Sequence, residues 1–101
     1  MKARFTEAAS ADLREARAFY GKRRRAARTG FNRVMRKAVA LLREHPEAGQ
    51  LAGKTAREYV IDNIYPYSLI YYLGEDEVVI SALYHHSRDP EFWHDRFGPE
   101  R

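Results

Sequence analysis

Two histidines, a serine, an arginine and an aspartate stand in one run near the C-terminus, His85-His86-Ser87-Arg88-Asp89, closed by Pro90. Metal-free cleavage of a phosphodiester needs a base for the 2′-hydroxyl, an acid for the leaving oxygen and a cation for the phosphorane charge. Histidine, with a pKa of about 6.5, suits the first two roles and arginine the third. On a strand, His85 and His86 point to opposite faces, so at most one of them serves a given site. Arg57, Lys54, Tyr67 and Tyr72 are the side chains that neighbouring strands could add. In the competing, structural reading, Arg88 pairs with Asp89 or with the backbone in a turn fixed by Pro90.

A second cluster is Lys22-Arg23-Arg24-Arg25 with Arg28, the densest group of cations in the chain. Phosphate binding needs clustered cations. No aromatic residue interleaves these, and a solvated corner between helices also accounts for them. His85, His86 and His94 match no zinc spacing and have no carboxylate-rich cluster beside them, so no metal and no cofactor is expected. There is no glycine-rich phosphate loop.

The elements that must position these residues follow from periodicity. Lys2 to Phe5 is a short strand with Ala3 and Phe5 on one face. Thr6 is a good N-cap, with Glu7 in the first turn where the helix dipole favours an acid. The first helix runs from about Glu7 to Tyr20, its apolar face formed by Ala9, Leu13, Ala16 and Tyr20. Gly21 and the basic run mark the break, with Thr29-Gly30 as the competing break point. The second helix runs from about Arg25 to Glu44, where Ala27, Phe31, Val34, Met35, Ala38, Leu41 and Leu42 make the strongest periodic stripe in the chain. Pro46-Glu47-Ala48-Gly49 is a turn. Three strands follow: Arg57 to Ile64, Tyr67 to Leu73 and Glu77 to Tyr84, the last with Val78, Ile80, Ala82 and Tyr84 on one face. Gly74-Glu75-Asp76 is the hairpin turn between the last two. Pro90 to Phe97 is a short helix or turn anchored by Phe92 and Trp93. The expected fold is α+β: an antiparallel sheet with a helical hairpin on one face.

The 101 residues make one domain, residues 1–101, with 45% apolar residues, no cysteine and a formal net charge of +4. Missing cysteine excludes disulfides and thiolate metal sites. No apolar run approaches the ~20 residues that span a bilayer, and the N-terminus has no signal-peptide core. A cytoplasmic location is therefore expected. The positive charge directs attention to anionic partners.

Four stretches resemble the RelE/ParE family of toxins from bacterial type II toxin–antitoxin systems. They are Phe5-Thr6-Glu7-Ala8-Ala9 with Asp12-Leu13; Leu41-Leu42 leading to His45-Pro46-Glu47-Ala48-Gly49; Tyr65-Pro66-Tyr67-Ser68-Leu69-Ile70-Tyr71-Tyr72; and Ala82-Leu83-Tyr84-His85-His86-Ser87-Arg88-Asp89-Pro90 with Phe92-Trp93. The resemblance implies an N-terminal strand, a helical hairpin and a three-stranded antiparallel meander in one sheet. Its details are most similar to the ParE branch. Where RelE-type ribosome-dependent mRNA endoribonucleases carry an arginine at the start of the middle strand, this chain has Ser68, and its C-terminal segment has no tyrosine. The ParE likeness implies growth inhibition by binding DNA gyrase, with Arg88, Asp89, Phe92 and Trp93 as target-binding candidates. The RelE alternative implies the ribosome and mRNA as partners, with Arg57, His85, His86 and Arg88 as catalytic candidates. Either branch implies an antitoxin whose acidic, partly disordered C-terminal segment binds the toxin directly in a hetero-oligomer.

Overall fold

The computed structural model describes residues 1–100, with side chains through Phe97. Strand β1 (Lys2–Phe5) leads into helices α1 (Glu7–Arg23) and α2 (Arg25–Glu44). Four strands follow: β2 (Gln50–Leu51), β3 (Arg57–Val60), β4 (Tyr67–Gly74) and β5 (Glu77–His85). A single helical turn, α3 (Glu91–His94), continues into a 3-10 segment over Asp95–Glu100. The sheet order is β1-β5-β4-β3-β2.

Thr6 caps α1 as its sequence suggests, its hydroxyl accepting from the Ala9 N–H at 3.2 Å. Gly21 does not end the helix. The chain breaks at a single extended residue, Arg24, at φ −160° and ψ 147°. Gly30, the competing break point, lies inside α2 and serves packing. A Cβ there would sit 2.4 Å from the Tyr65 hydroxyl, and that hydroxyl donates to the Ala27 carbonyl at 3.0 Å. Phe31, Met35, Ala38 and Leu42, the core of the α2 stripe, are all buried against the sheet.

The sheet differs from the expected one in three ways. It is mixed, because β1 runs parallel to β5, from Lys2 opposite Glu77 to Phe5 opposite Ile80. The three antiparallel pairings from β2 to β5 leave β5 running in the direction of β3, and β1 joins the β5 edge in that same direction. A two-residue strand, β2, extends the far edge by pairing with β3; two residues carry no readable alternation. Strand β3 stops at Val60, short of the expected Ile64. Beyond it, the Asp62 carboxylate takes the Ile64 N–H at 2.9 Å and turns the chain out of the ladder.

The most consequential difference lies in β5. Ile80 pairs with Tyr71 and Ala82 with Ile70, leaving Ser81 as an extra residue in a β-bulge. The bulge inverts the alternation. Val78 and Ile80 face the helices, as do Leu83 and the ring of His85, which meets Tyr67 edge-on with centroids 4.8 Å apart. Ala82 and Tyr84 face the other side of the sheet, with Ile70 and Trp93. The expectation that Val78, Ile80, Ala82 and Tyr84 share one face fails at Ser81, because period-two reasoning holds only through an unbroken ladder.

The helix-facing core holds several phenols. Burial raises the hydroxyl pKa values of Tyr67, Tyr71 and Tyr20 above the ordinary tyrosine value. The folded state therefore holds these protons more tightly than the unfolded chain does. That contribution is intact below the unfolded value of about 10 and is lost as pH rises past it. The urea midpoint should hold steady to about pH 9 and fall steeply above about pH 10.5. A flat profile through that range would contradict the burial argument.

Candidate functional site

The residues singled out for chemistry gather where the second half of β5 leaves the sheet. Strand β1 covers β5 only as far as Ile80, so the β5 edge from Ser81 onward has no strand beside it. Backbone groups freed at a bulge and an edge must find other partners. The carboxylate of Asp12, on α1, accepts the Leu83 N–H at 3.0 Å. Arg96, from the C-terminal segment, donates to the Ser81 carbonyl at 2.8 Å. The two side chains join in a two-pronged ion pair at 2.7 and 3.1 Å. Both are largely buried, with side-chain exposures of 13% for Asp12 and 23% for Arg96. One staple thus ties the first helix, the bulge and the C-terminal segment together.

Beside this staple lies a cleft of about 360 Å³ between α1 and the end of β5. Glu15, Phe19 and Ala16 line its α1 wall, and Tyr67, Leu83, His85, Ser87 and Arg88 line the other. The cleft gathers both signs of charge over an apolar floor.

His85 is held in a defined state. Its Nδ1 accepts from the Ser87 N–H at 3.0 Å and lies 2.7 Å from the Ser87 hydroxyl. A backbone N–H can only donate, so Nδ1 is unprotonated and neutral His85 carries its proton on Nε2. In this state the ring is a hydrogen-bond donor at Nε2 and not a base there. His86 points the opposite way, as expected of adjacent strand residues. Its Nε2 lies 2.8 Å from the hydroxyl of the buried Ser68, and its ring packs near Tyr84 on the far face.

Arg88 is exposed, and its guanidinium lies over the Phe92 ring at 4.5 Å. Its backbone is fixed from below by the Tyr84 hydroxyl, which donates to the Arg88 carbonyl at 3.1 Å. Asp89 does not pair with Arg88. Its carboxylate accepts the Glu91 N–H at 3.0 Å and opens α3. Phe92 is half-buried and stacks on Tyr84. Trp93, expected at the target surface, is only 3% exposed and belongs to the second-face core. It supports the surface from behind, because the helical turn of α3 directs it onto the sheet.

Arg57 lies elsewhere. It donates to the carbonyls of Gly49 and Glu47 at 2.8 and 3.3 Å, bracing the turn after α2. Arg57 sits opposite Tyr71, whereas His85 sits opposite Tyr67. Four residues of β4 separate the two positions, roughly 13 Å along the strand. Tyr72 lies beside Phe97 on the second face and not in the cleft. The residues that sequence reasoning missed are Asp12, Glu15, Phe19 and Arg96. Asp12 and Glu15 read as solvent-facing positions of an amphipathic helix, and only the unpaired edge of β5 gives Asp12 a buried role. Among the described residues, no cluster of His, Asp and Glu could hold a metal ion, and no helix is long and apolar enough to cross a membrane.

A search of curated proteins by sequence finds no match. Among solved structures, the chain is similar to a protein described as "Chromosomal ParDE TA system from P. aeruginosa", with a TM-score of 0.69 and 18% identity over 84% of this chain and 95% of the other. That likeness is one of fold. The family model described as "ParE toxin of type II toxin-antitoxin system, parDE" matches residues 3–90. With both helices, the His85–Arg88 segment and all of the sheet but Lys2 inside that match, this chain belongs to the ParE toxin family of type II toxin–antitoxin systems.

Proposed function

We infer that the protein inhibits growth by binding DNA gyrase and is neutralised by direct binding of its antitoxin. One observation carries the preference for binding over RNA cleavage: of Arg57, His85, His86 and Arg88, only His85 and Arg88 share a surface. His85 and His86 face opposite sides of the sheet, and Arg57 is engaged by backbone carbonyls at the far end of β4. A general acid and base must both reach one phosphodiester, and the basic nitrogen of His85, Nδ1, is already engaged by the Ser87 N–H.

Arg88, Asp89 and Phe92 form the accessible target surface in this reading, with Trp93 beneath them. An exposed arginine stacked on an aromatic is a common anchor at protein interfaces. The antitoxin has a suitable seat elsewhere. A groove of about 380 Å³ between β1, α1 and α2 has a floor of Phe5, Leu13, Met35 and Val39, with Arg17, Arg36 and Arg43 at its rim. An acidic amphipathic segment would gain apolar burial and Coulomb attraction there together.

The test is tightly controlled induction without the antitoxin, with DNA and protein synthesis pulse-labelled separately over the first minutes. DNA synthesis should fall first. An earlier collapse of translation would favour ribosome-dependent mRNA cleavage instead. Arg88→Ala should remove toxicity while the protein still folds and binds antitoxin, since an exposed cation–π contact contributes only about 0.5–1 kcal/mol. An Arg88→Ala protein that folds and remains fully toxic would remove Arg88 from the target surface.

A further inference from the structure

Charge is distributed unevenly over this fold. Ten of its 18 lysines and arginines, and none of its 14 acids, lie between Ala16 and Arg43. The helical hairpin is thus a basic layer on an otherwise acidic protein. The charge is densest at the hairpin tip, where Lys22 and Arg23 end α1, Arg24 is the extended link, and Arg25 and Arg28 start α2. All five are exposed. Among the described residues, the ion pairs are Arg4–Glu77, His94–Glu91 and Asp12–Arg96, and none involves the tip.

A solvated corner explains only part of this cluster. Lys22 and Arg23 occupy the last turn of α1, where the helix dipole favours cations. Arg24 and Arg25 stand at the start of α2, where it disfavours them, and that first turn contains no acid and no side-chain cap. Helix formation therefore gives no reason for two arginines at this point. The Arg28 side chain folds back over Gly21, its Cδ lying 3.4 Å from where a Gly21 Cβ would be, so that both helices contribute cations to one patch. The Arg23 guanidinium lies over the half-exposed Phe19 ring at 4.5 Å.

We propose that this tip binds the phosphate backbone of a nucleic-acid duplex, without reading base sequence. Clustered, unpaired guanidinium groups are the chemistry of phosphate contact. The tip differs from the arginine-rimmed groove in lacking an apolar floor: Ala26, between Arg25 and Arg28, is itself exposed. An amphipathic acidic peptide would find nothing to bury there, whereas a sugar-phosphate backbone needs only the charge. Single strands are held mainly by base stacking on aromatic faces; of the rings near the tip, Phe19 is already covered by Arg23, and Tyr20 packs against Phe31, Tyr65 and Tyr67. The inference goes beyond the gyrase reading and does not depend on it, because the contact would form with duplex alone.

The experiment is fluorescence anisotropy of a labelled mixed-sequence DNA duplex titrated with the full-length toxin at several salt concentrations, with no gyrase present. Five phosphate contacts predict a slope of log K against log salt of about −4.5, with micromolar affinity near physiological salt. The triple variant Arg24→Gln/Arg25→Gln/Arg28→Gln should bind at least about tenfold more weakly, with a slope near about −2. Each single substitution should lower the slope magnitude by about 0.9, which keeps the test valid if the triple variant folds poorly. Arg36→Gln/Arg43→Gln, in the groove, should leave the affinity within about threefold of the parent. Four results would each overturn the proposal. They are tip variants that bind like the parent, a groove variant that loses as much as the tip variant, polyglutamate that competes as well as duplex, and single-stranded RNA that binds more tightly than duplex.

Discussion

Asp12→Ala is expected to lower the unfolding free energy by about 3 kcal/mol and to abolish toxicity at growth temperature. The substitution removes the two-pronged partner of Arg96 and the acceptor of the Leu83 N–H in one step. Breaking a buried ion pair from one side typically costs about 3–5 kcal/mol, because the remaining charge stays buried without its partner. The partial exposure of both side chains places the effect at the low end of that range. For a domain of this size, about 3 kcal/mol is a fall of roughly 12 °C or more in Tm. The loss reaches function because Asp12 also lines the cleft that holds His85 and Arg88. Urea titrations of Asp12→Ala, Arg96→Ala and the double variant would measure the coupling. The double variant should lose less than the two singles together. Single variants within about 0.5 kcal/mol of the parent would show that the staple contributes little.

Insertion of one alanine after Ala82 should have a still larger effect, because it shifts by one residue the phase of β5 beyond the bulge. With it, Leu83 and His85 would turn away from the helices, and Tyr84 and His86 would turn towards them. Leu83, only 3% exposed, would leave the helix-facing core, and losing a buried leucine from a core costs about 2–5 kcal/mol by itself. The Tyr84–Phe92 stack and the Tyr84 bond that fixes the Arg88 backbone would be lost as well. The expected outcome is a chain that does not fold cooperatively, with near-ultraviolet circular dichroism lost. Deletion of Ser81 is the contrasting case: it joins Ile80 to Ala82 in a regular ladder and keeps Leu83 and His85 on the helix side, so that variant should still fold. A folded insertion variant with His85 still in the cleft would mean that the strand absorbs extra residues freely and that residue count does not set the phase.

The outcome of both experiments turns on which features are local and which are not. The sequence by itself determined the elements. Thr6 begins α1, the apolar stripe from Phe31 to Leu42 defines α2, Pro46 follows its end, and Tyr67 to Leu73 and Glu77 to Tyr84 read as paired strands. These signals are local, because a cap, a period of 3.6 or a turn residue acts within a few positions. The opposite orientations of His85 and His86 were legible for the same reason. Only the tertiary structure decided which histidine faces the cleft. One bulged serine inverts that choice, and Ser81 bears no mark of a bulge in the sequence. It likewise decided that β1 runs parallel to β5, that Trp93 is core, and that Arg57 braces a turn far from His85. The staple between Asp12 and Arg96 spans 84 positions. It exists because β1 ends before β5 does and leaves a polar edge to be satisfied. Such contacts arise where elements meet, so the residues that form them look like ordinary surface charges until the fold brings them together.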